Sequence, residues 1–247
     1  MIRLGICGAC GKMGKMIANL AAKDKEFRIV TALEREGHEL AGKDLKTAIG
    51  IDAPGVKVTT DLNAAFTGID CMIDFTLPEP TLTHLKAAVS HKVAMVIGTT
   101  GLKAEDEKLI SEAAKTIPII FSPNMAPGVH LLFNIVAAAA KALGKDFSIS
   151  VDETHHVHKK DSPSGTAKMI AKVIKEASGK DVPVEAFREG EVVGNHGIIF
   201  KSEFETLEIR HDAKTREVFA AGSLKAAKFL AGKPAGLYRM ADALGLS

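Results

Sequence analysis

The chain is poor in cysteine. Three in 247 residues cannot build a disulfide framework, and such scarcity fits a reducing compartment. It also lacks an excess of either charge. Lys+Arg number 32 against 30 Asp+Glu, a formal +2, so the basic surplus that nucleic-acid and polybasic membrane binders need is missing. No export leader is expected, because strand-like residues begin at Ile2 with no charged stretch or cleavable apolar core ahead of them. No uninterrupted apolar run suits a membrane span. Thr116 to Ala140 carries no Asp, Glu, Lys or Arg, but Pro118, Pro123 and Pro127 cut it, and Asn124, Gly128, His130 and Asn134 dilute it. Repeats, low-complexity tracts and flexible linkers are absent too. What remains is ordinary globular composition, 46% hydrophobic and 25% charged, expected in the cytoplasm with no nucleic-acid or membrane partner.

The length fits one large domain or two modest ones of roughly 100–200 residues each. In the first half, short apolar runs alternate with amphipathic stretches, the pattern of a parallel α/β sheet. Strands are expected at Ile2–Cys7, Phe27–Leu33, Cys71–Phe75, Val93–Ile97 and Ile117–Phe121. Helices are expected at Lys12–Lys23, Thr81–His91 and Glu105–Lys115. Right-handed crossovers would then give an open, doubly wound sheet of the Rossmann type. Near Asn124 the texture changes. A long apolar helix at about Gly128–Leu143 leads to an alternating strand, Phe147–Asp152, then a His-rich loop and a short helix from Ser164. Strand patterns at Val184–Phe187, Gly197–Glu203 and Leu207–His211 follow closely, which predicts a second, α+β domain with a mixed sheet. The Ala-rich segment Gly222–Leu244 reads as helix that returns to the first domain. The division is therefore 1–126 for a dinucleotide, 127–216 for substrate and oligomer contacts, and 217–247 as the returning helical segment.

Gly8-Ala9-Cys10-Gly11-Lys12-Met13-Gly14 follows the first strand and opens the first helix. This G-x-x-G-x-x-G spacing is a variant of the dinucleotide fingerprint. Glycine is needed where the chain turns sharply and where backbone must approach a pyrophosphate, which the helix N-terminus then holds. Glu34 ends the second strand 20 residues beyond Gly14, where a carboxylate can accept from the adenosine ribose. Arg35 beside it can pair with the extra phosphate of NADP, so both NADH and NADPH are expected to bind.

The densest chemistry lies at Glu153-Thr154-His155-His156-Val157-His158-Lys159-Lys160-Asp161-Ser162-Pro163-Ser164-Gly165-Thr166. Histidine can donate a proton near neutral pH, and lysine can hold a carboxylate. Pro163–Thr166 opens a helix whose backbone can hold an anion. Lys159, His156 and the Gly165-Thr166 backbone are expected to form a cationic pocket with no partner anion in the local sequence. Close histidines can instead bind zinc, but with no Cys or conspicuous carboxylate beside them no metal is expected. Cys7-x-x-Cys10 is embedded in the Gly-rich turn without a second pair, so neither metal nor redox chemistry is expected of it.

Together these motifs resemble the dihydrodipicolinate reductase family of bacterial and plant lysine biosynthesis. The resemblance spans Gly8–Gly14, Glu34-Arg35, Asp74-Phe75-Thr76, Gly98–Gly101 and Ser122–Met125. It continues through Glu153–Thr166, Arg188-x-Gly190, Gly194-x-His196 and Gly236-Leu237-Tyr238. The chain departs from the family at Ala126, Pro127 and His130. The resemblance implies an NAD(P)H-dependent reductase acting on a cyclic dicarboxylate in diaminopimelate and lysine synthesis. Gly8, Ala9, Cys10, Gly11, Lys12 and Met13 would wrap the pyrophosphate, and Glu34 and Arg35 would read the ribose. Gly98, Thr99, Thr100, Ser122, Pro123, Asn124 and Met125 would line the nicotinamide end. His155 would be the acid/base residue and Lys159 a proton donor that also binds substrate. His156, Gly165 and Thr166 would hold substrate carboxylate. A homotetramer built on the second domain is implied, as is closure about Asn124–Gly128 and Arg216–Ala221. Another two-domain dehydrogenase, such as an amino-acid dehydrogenase or a semialdehyde dehydrogenase (for which Cys71 is the one candidate nucleophile, against its strand setting), and a cofactor sensor without turnover are the alternatives.

Overall fold

In the computed structural model, which describes residues 1–246, the chain forms two compact units. One comprises Met1–Met125 with Phe219–Gly245. The other comprises Ala126–Val218 with Leu246.

The first unit is a seven-stranded sheet. Its strands are β1 (Ile2–Cys7), β2 (Phe27–Leu33), β3 (Val58–Thr59), β4 (Cys71–Asp74), β5 (Ala94–Ile97), β6 (Pro118–Phe121) and, from the far end of the chain, β11 (Gly236–Tyr238). All pair in parallel, in the order β11-β6-β5-β4-β1-β2-β3. The order reverses direction between β1 and β4, as in a doubly wound Rossmann sheet. The central strands are apolar on both faces because helices cover both. On one face Leu4, Ile6 and Ile73 pack with Ile17 of α1 (Lys12–Lys23) and with Leu224 and Ala227 of α8 (Glu217–Leu230). On the other, Met72, Met95 and Ile119 pack with Phe66 of α3 (Leu62–Phe66), Leu85 of α4 (Pro78–His91) and Ile110 of α5 (Ala104–Ala113).

Three short elements escaped the sequence pattern: α2 (Leu45–Ile49), β3 and α3, each too brief to show a period. The segment expected to be helical from Gly222 to Leu244 is not so throughout. Helix α8 stops at Leu230, β11 follows Gly232 and Pro234, and α9 (Met240–Ala243) is a single turn. Gly and Pro punctuate that stretch, and three apolar-polar residues suffice for an edge strand. Helix α4 begins at Pro78 rather than Thr81, with proline in its first turn, where the missing N–H costs nothing.

The second unit has a four-stranded mixed sheet, β10-β9-β7-β8. Here β7 (Ser148–His155) pairs antiparallel with β9 (Asn195–Lys201) and parallel with β8 (Val184–Arg188), and β9 pairs antiparallel with β10 (Thr206–Asp212). Helices α6 (Pro127–Leu143) and α7 (Gly165–Ser178) bury Leu132, Val136, Ile170 and Ile174 against Ile149, Val151, Ile198 and Phe200. Each such side chain contributes roughly 1.5–3 kcal/mol on burial. Pro127, a departure from the family, is suited to the first turn of α6. Two expectations were wrong in length: β7 runs on to His155 instead of ending at Asp152, and α7 has 14 residues rather than being short.

Candidate active site

The first unit gathers its candidate residues at the carboxyl ends of parallel strands, where doubly wound sheets bind ligands. The turn Gly8–Gly14 joins β1 to α1. Gly8 has φ +63°, and a Cβ on Gly14 would lie 2.1 Å from the Gly8 carbonyl oxygen. Only glycine allows so close a packing of helix on turn. Gly11 caps α1 and no side chain closes that cap, which leaves the first-turn amides around Lys12 and Met13 to a ligand. A cradle of bare backbone at a positive helix end fits a dinucleotide pyrophosphate. Ala9 is fully buried and can offer only its backbone.

Glu34 follows β2, and its Oε1 accepts from the Cys10 amide at 2.7 Å, so this carboxylate braces the turn. Its Oε2 lies 3.9 Å from His38 Nε2, a neighbour that spacing alone did not reveal. Arg35 is exposed. Gly98, Thr99 and Thr100 follow β5, and Ser122, Pro123, Asn124 and Met125 follow β6. The Met125 side chain is in the core, and Ser122 Oγ donates to the Asn124 carbonyl at 2.6 Å.

Thr99 is held by a network that sequence reasoning missed. Buried Asp74 accepts from the Thr76 amide at 2.8 Å and its hydroxyl at 2.6 Å, and from Thr99 Oγ1 at 3.4 Å. Asp74 Oδ2 lies 2.6 Å from His84 Nδ1, and Thr99 and Thr81 hydroxyls are 2.8 Å apart. The Asp-Phe-Thr motif therefore anchors the loop that carries Gly98–Thr100.

None of the cysteines is set up as a nucleophile. Burial, with Asp70 nearby, pushes the Cys71 thiol up to about 12. Burial, then Asp74 and Glu34, raises Cys7 well above its usual range. Burial and Glu34 also raise Cys10, against the pull of Lys15.

The second unit builds its candidate site from charged side chains. Period-2 alternation along β7 turns Ile149, Val151, Glu153 and His155 inward. Glu153 is completely buried. Its carboxylate contacts His155 Nδ1, and Oε1 accepts from Arg188 Nη1 at 3.1 Å and from the Ser164 amide at 3.1 Å. Burial alone would raise the Glu153 carboxyl, but His155, Ser164 and Arg188 outweigh it and hold the group below its usual range. His155 is lowered chiefly by burial. Glu153 opposes that fall, whereas Lys159 and Arg188 add to it. His196 of β9 stacks edge-on against His155 with ring centres 5.2 Å apart, and burial drives it down to about 4.

Lys159 Nζ lies 2.8 Å from Asp161 Oδ1, and the Asp161 carboxylate also accepts from the Gly165 backbone. This corrects the expectation of a pocket without a local anion. Asp161 supplies one, at the very groups assigned to substrate. His156 Nε2 is 3.4 Å from Arg216 Nη2. His158 is exposed near Glu191. Gly165 and Thr166 form the first turn of α7, whose N-cap is Ser164, with Oγ accepting from the Ala167 amide at 3.1 Å.

The carboxylate missing from the zinc argument is also present. Ligand-capable atoms of Glu153, His155 and His196 lie within 4.8 Å of one another. Arg188 and the Ser164 amide already donate to Glu153 Oε1, which makes this carboxylate the hydrogen-bonded centre of the cluster. Sequence reading overlooked Glu153, Arg188 and His196 as members of it. Extending the β7 alternation past Asp152 would have placed Glu153, the next residue, and His155 on the inward face.

A dinucleotide cradle at a parallel sheet and an acid–base cluster on a second sheet define an NAD(P)H-dependent oxidoreductase of two units. The family models "Dihydrodipicolinate reductase, N-terminus" and "Dihydrodipicolinate reductase, C-terminus" match residues 2–125 and 128–244. The 4-hydroxy-tetrahydrodipicolinate reductase of Geobacter metallireducens is 41% identical over all of both chains, and that of Geobacter sulfurreducens is 40% identical, again over all of both. A dipicolinate-bound dihydrodipicolinate reductase from Paenisporosarcina sp. TG-14 shares the fold, with TM-score 0.81 and 24% identity over 97% of each chain. The chain belongs to the dihydrodipicolinate reductase family. No helix among the described residues is long and apolar enough to cross a membrane.

Proposed function

We propose that the chain reduces the cyclic dicarboxylate produced by dihydrodipicolinate synthase to tetrahydrodipicolinate, in the cytoplasm, on the route to diaminopimelate and lysine. Residues 1–126, with 217–247, are the part assigned to NADPH or NADH, and 127–216 the part assigned to substrate. Gly8–Met13 would hold the pyrophosphate, Glu34 and Arg35 the ribose, and Gly98–Thr100 with Ser122–Met125 the nicotinamide end. When bound, the reduced nicotinamide supplies the hydride. His155 delivers a proton to the ring atom beside the carbon that receives it, with Lys159 as a second donor. The Lys159 ammonium, His156 and the Gly165–Thr166 backbone hold substrate carboxylate, displacing Asp161 from Lys159 and Gly165.

The observation that carries this reading is the convergence of His155 and the Ser164 cap of α7 on one buried carboxylate, to which Arg188 ties the Lys159 backbone as well. A sensor without turnover has no use for a proton donor so placed. A semialdehyde dehydrogenase needs a thiolate, and Cys71 is buried with its proton held on. A homotetramer accords with the second sheet. Both helices of that unit lie on one face, while alternation puts Ser150, Asp152, Ile199 and Arg210 on the other, which another copy can cover.

The test is oxidation of NADPH, followed by its near-ultraviolet absorbance, with freshly made synthase product as substrate. Turnover that depends on the synthase product supports the proposal. Cofactor binding without turnover would favour the sensor.

A further inference from the structure

We propose that Glu153 is a positioning residue for the reaction: one buried carboxylate that orients His155 and ties down both the Lys159 loop and the start of α7. The inference rests on the reading of His155 as proton donor.

A carboxylate with no exposed surface is costly unless several partners replace its water. Glu153 has three, each on a different part of the site. The His155 ring presents Nδ1 to it, and neither that nitrogen nor Glu153 Oε2 has a hydrogen bond to any other described group. An ionised carboxylate only accepts, so Nδ1 carries the hydrogen and Nε2 is left on the opposite side of the ring. That side faces Gly194, where a Cβ would sit 2.9 Å from Nε2. Glycine there keeps the reacting nitrogen unobstructed.

The second partner is the Ser164 amide, donated to Oε1 at 3.1 Å. Ser164 caps α7, so the same carboxylate fixes where that helix starts. The third is Arg188 of β8. Its Nη1 reaches Glu153, its Nη2 donates to the Asp161 carbonyl at 2.6 Å, and its Nε donates to the Lys159 carbonyl at 3.4 Å. Through Arg188, Glu153 fixes the backbone of the residue assigned to hold substrate carboxylate. The arrangement resembles the orienting acid of a nucleophile–base–acid relay, extended to two further anchors.

The charged and titratable groups around His155 come from every element of the site: Glu153 on β7, Lys159 on the loop, Arg188 on β8 and His196 on β9, with His211 of β10 beyond it. Of the charges acting on His155, Glu153 is the one that favours its protonated form. Replacing it with neutral glutamine lowers the pH at which His155 gives up its proton.

Glu153→Gln and Glu153→Asp in the full chain, saturated with NADPH, give the test. Glutamine can still accept from Ser164 and Arg188 through its amide oxygen, so substrate KM is expected to stay within about threefold. With an acid worth about 10²–10⁴ in rate, kcat is expected to fall at least tenfold at neutral pH. The alkaline limb of the kcat–pH profile, where rate is lost as the acid deprotonates, is expected to move to lower pH. Glu153→Asp keeps the charge one methylene further away and is expected to fall between. If glutamine does not fold, the aspartate profile carries the same test with a smaller shift. Wild-type kcat and an unmoved limb in these variants, with His155→Ala impaired, would overturn the proposal. An equal change in KM and kcat with an unmoved limb would reduce Glu153 to a structural group. Unimpaired His155→Ala would remove the donor reading itself, a separate failure.

Discussion

The two units build their candidate anion sites from opposite materials. In the first, the anion-binding surface is backbone: a glycine turn, an uncapped helix start and amides set by strand register. In the second, charged and titratable side chains dominate: Lys159 and the histidines beside the start of α7, with Arg188 and a carboxylate of no exposure behind them. Backbone donors carry no proton chemistry and cannot titrate, which suits a cofactor that must bind and leave unchanged in charge at its phosphates. Titratable side chains can deliver a proton, and their protonation then depends on what is buried beside them. A substitution in the first unit should therefore act through shape, and one in the second through charge.

The sharpest way to break that contrast is Gly14→Ala. The new methyl would meet the Gly8 carbonyl, which is backbone and cannot swing away. Loss of NADPH binding by more than about 100-fold is expected, roughly 2.7 kcal/mol, with a lowered melting temperature. Cofactor titration near wild-type affinity would show that the turn relaxes and that its shape matters little.

Charge selectivity of the second unit gives the next effect. Pyridine-2,6-dicarboxylate, planar and resistant to hydride addition, is expected to compete with substrate. Removing one carboxylate is expected to weaken it by roughly 1.5–3 kcal/mol, the worth of a charged hydrogen bond. Asp161 already holds Lys159, so the measured difference is net of displacing it. Equal inhibition by pyridine-2-carboxylate would mean that the second carboxylate is not gripped.

These two experiments also mark what could be read from residues in a row. The Gly-rich turn was legible because backbone binding depends on local spacing, and β1, α1 and β2 have the bounds their apolar patterns predict. The His-Lys cluster was equally visible as a string. Its working parts were not, since Glu153 meets Arg188 and His155 faces His196 only after β8 and β9 pair with β7. The same holds for Asp74, whose partners Thr99 and His84 come from neighbouring loop and helix. β11 was hidden for another reason: three residues among Gly and Pro have no period, and only the edge of β6 makes them a strand.

The smallest expected effect concerns cofactor choice. Glu34, braced on Cys10, favours free ribose hydroxyls, and exposed Arg35 favours the extra phosphate. NADH and NADPH are expected to bind within about tenfold of each other, roughly 1.4 kcal/mol. A preference of several hundredfold in parallel titrations would show that one of the two side chains does not reach the ribose.

The most direct test of the division between a backbone-built cofactor unit and a side-chain-built proton unit is a paired measurement on His155→Ala: turnover with synthase product, and NADPH affinity on the same sample. The division predicts turnover lowered by about 10²–10⁴ with affinity within about twofold of wild type. Near-normal turnover, or a loss of NADPH affinity as large as the loss of rate, would contradict it.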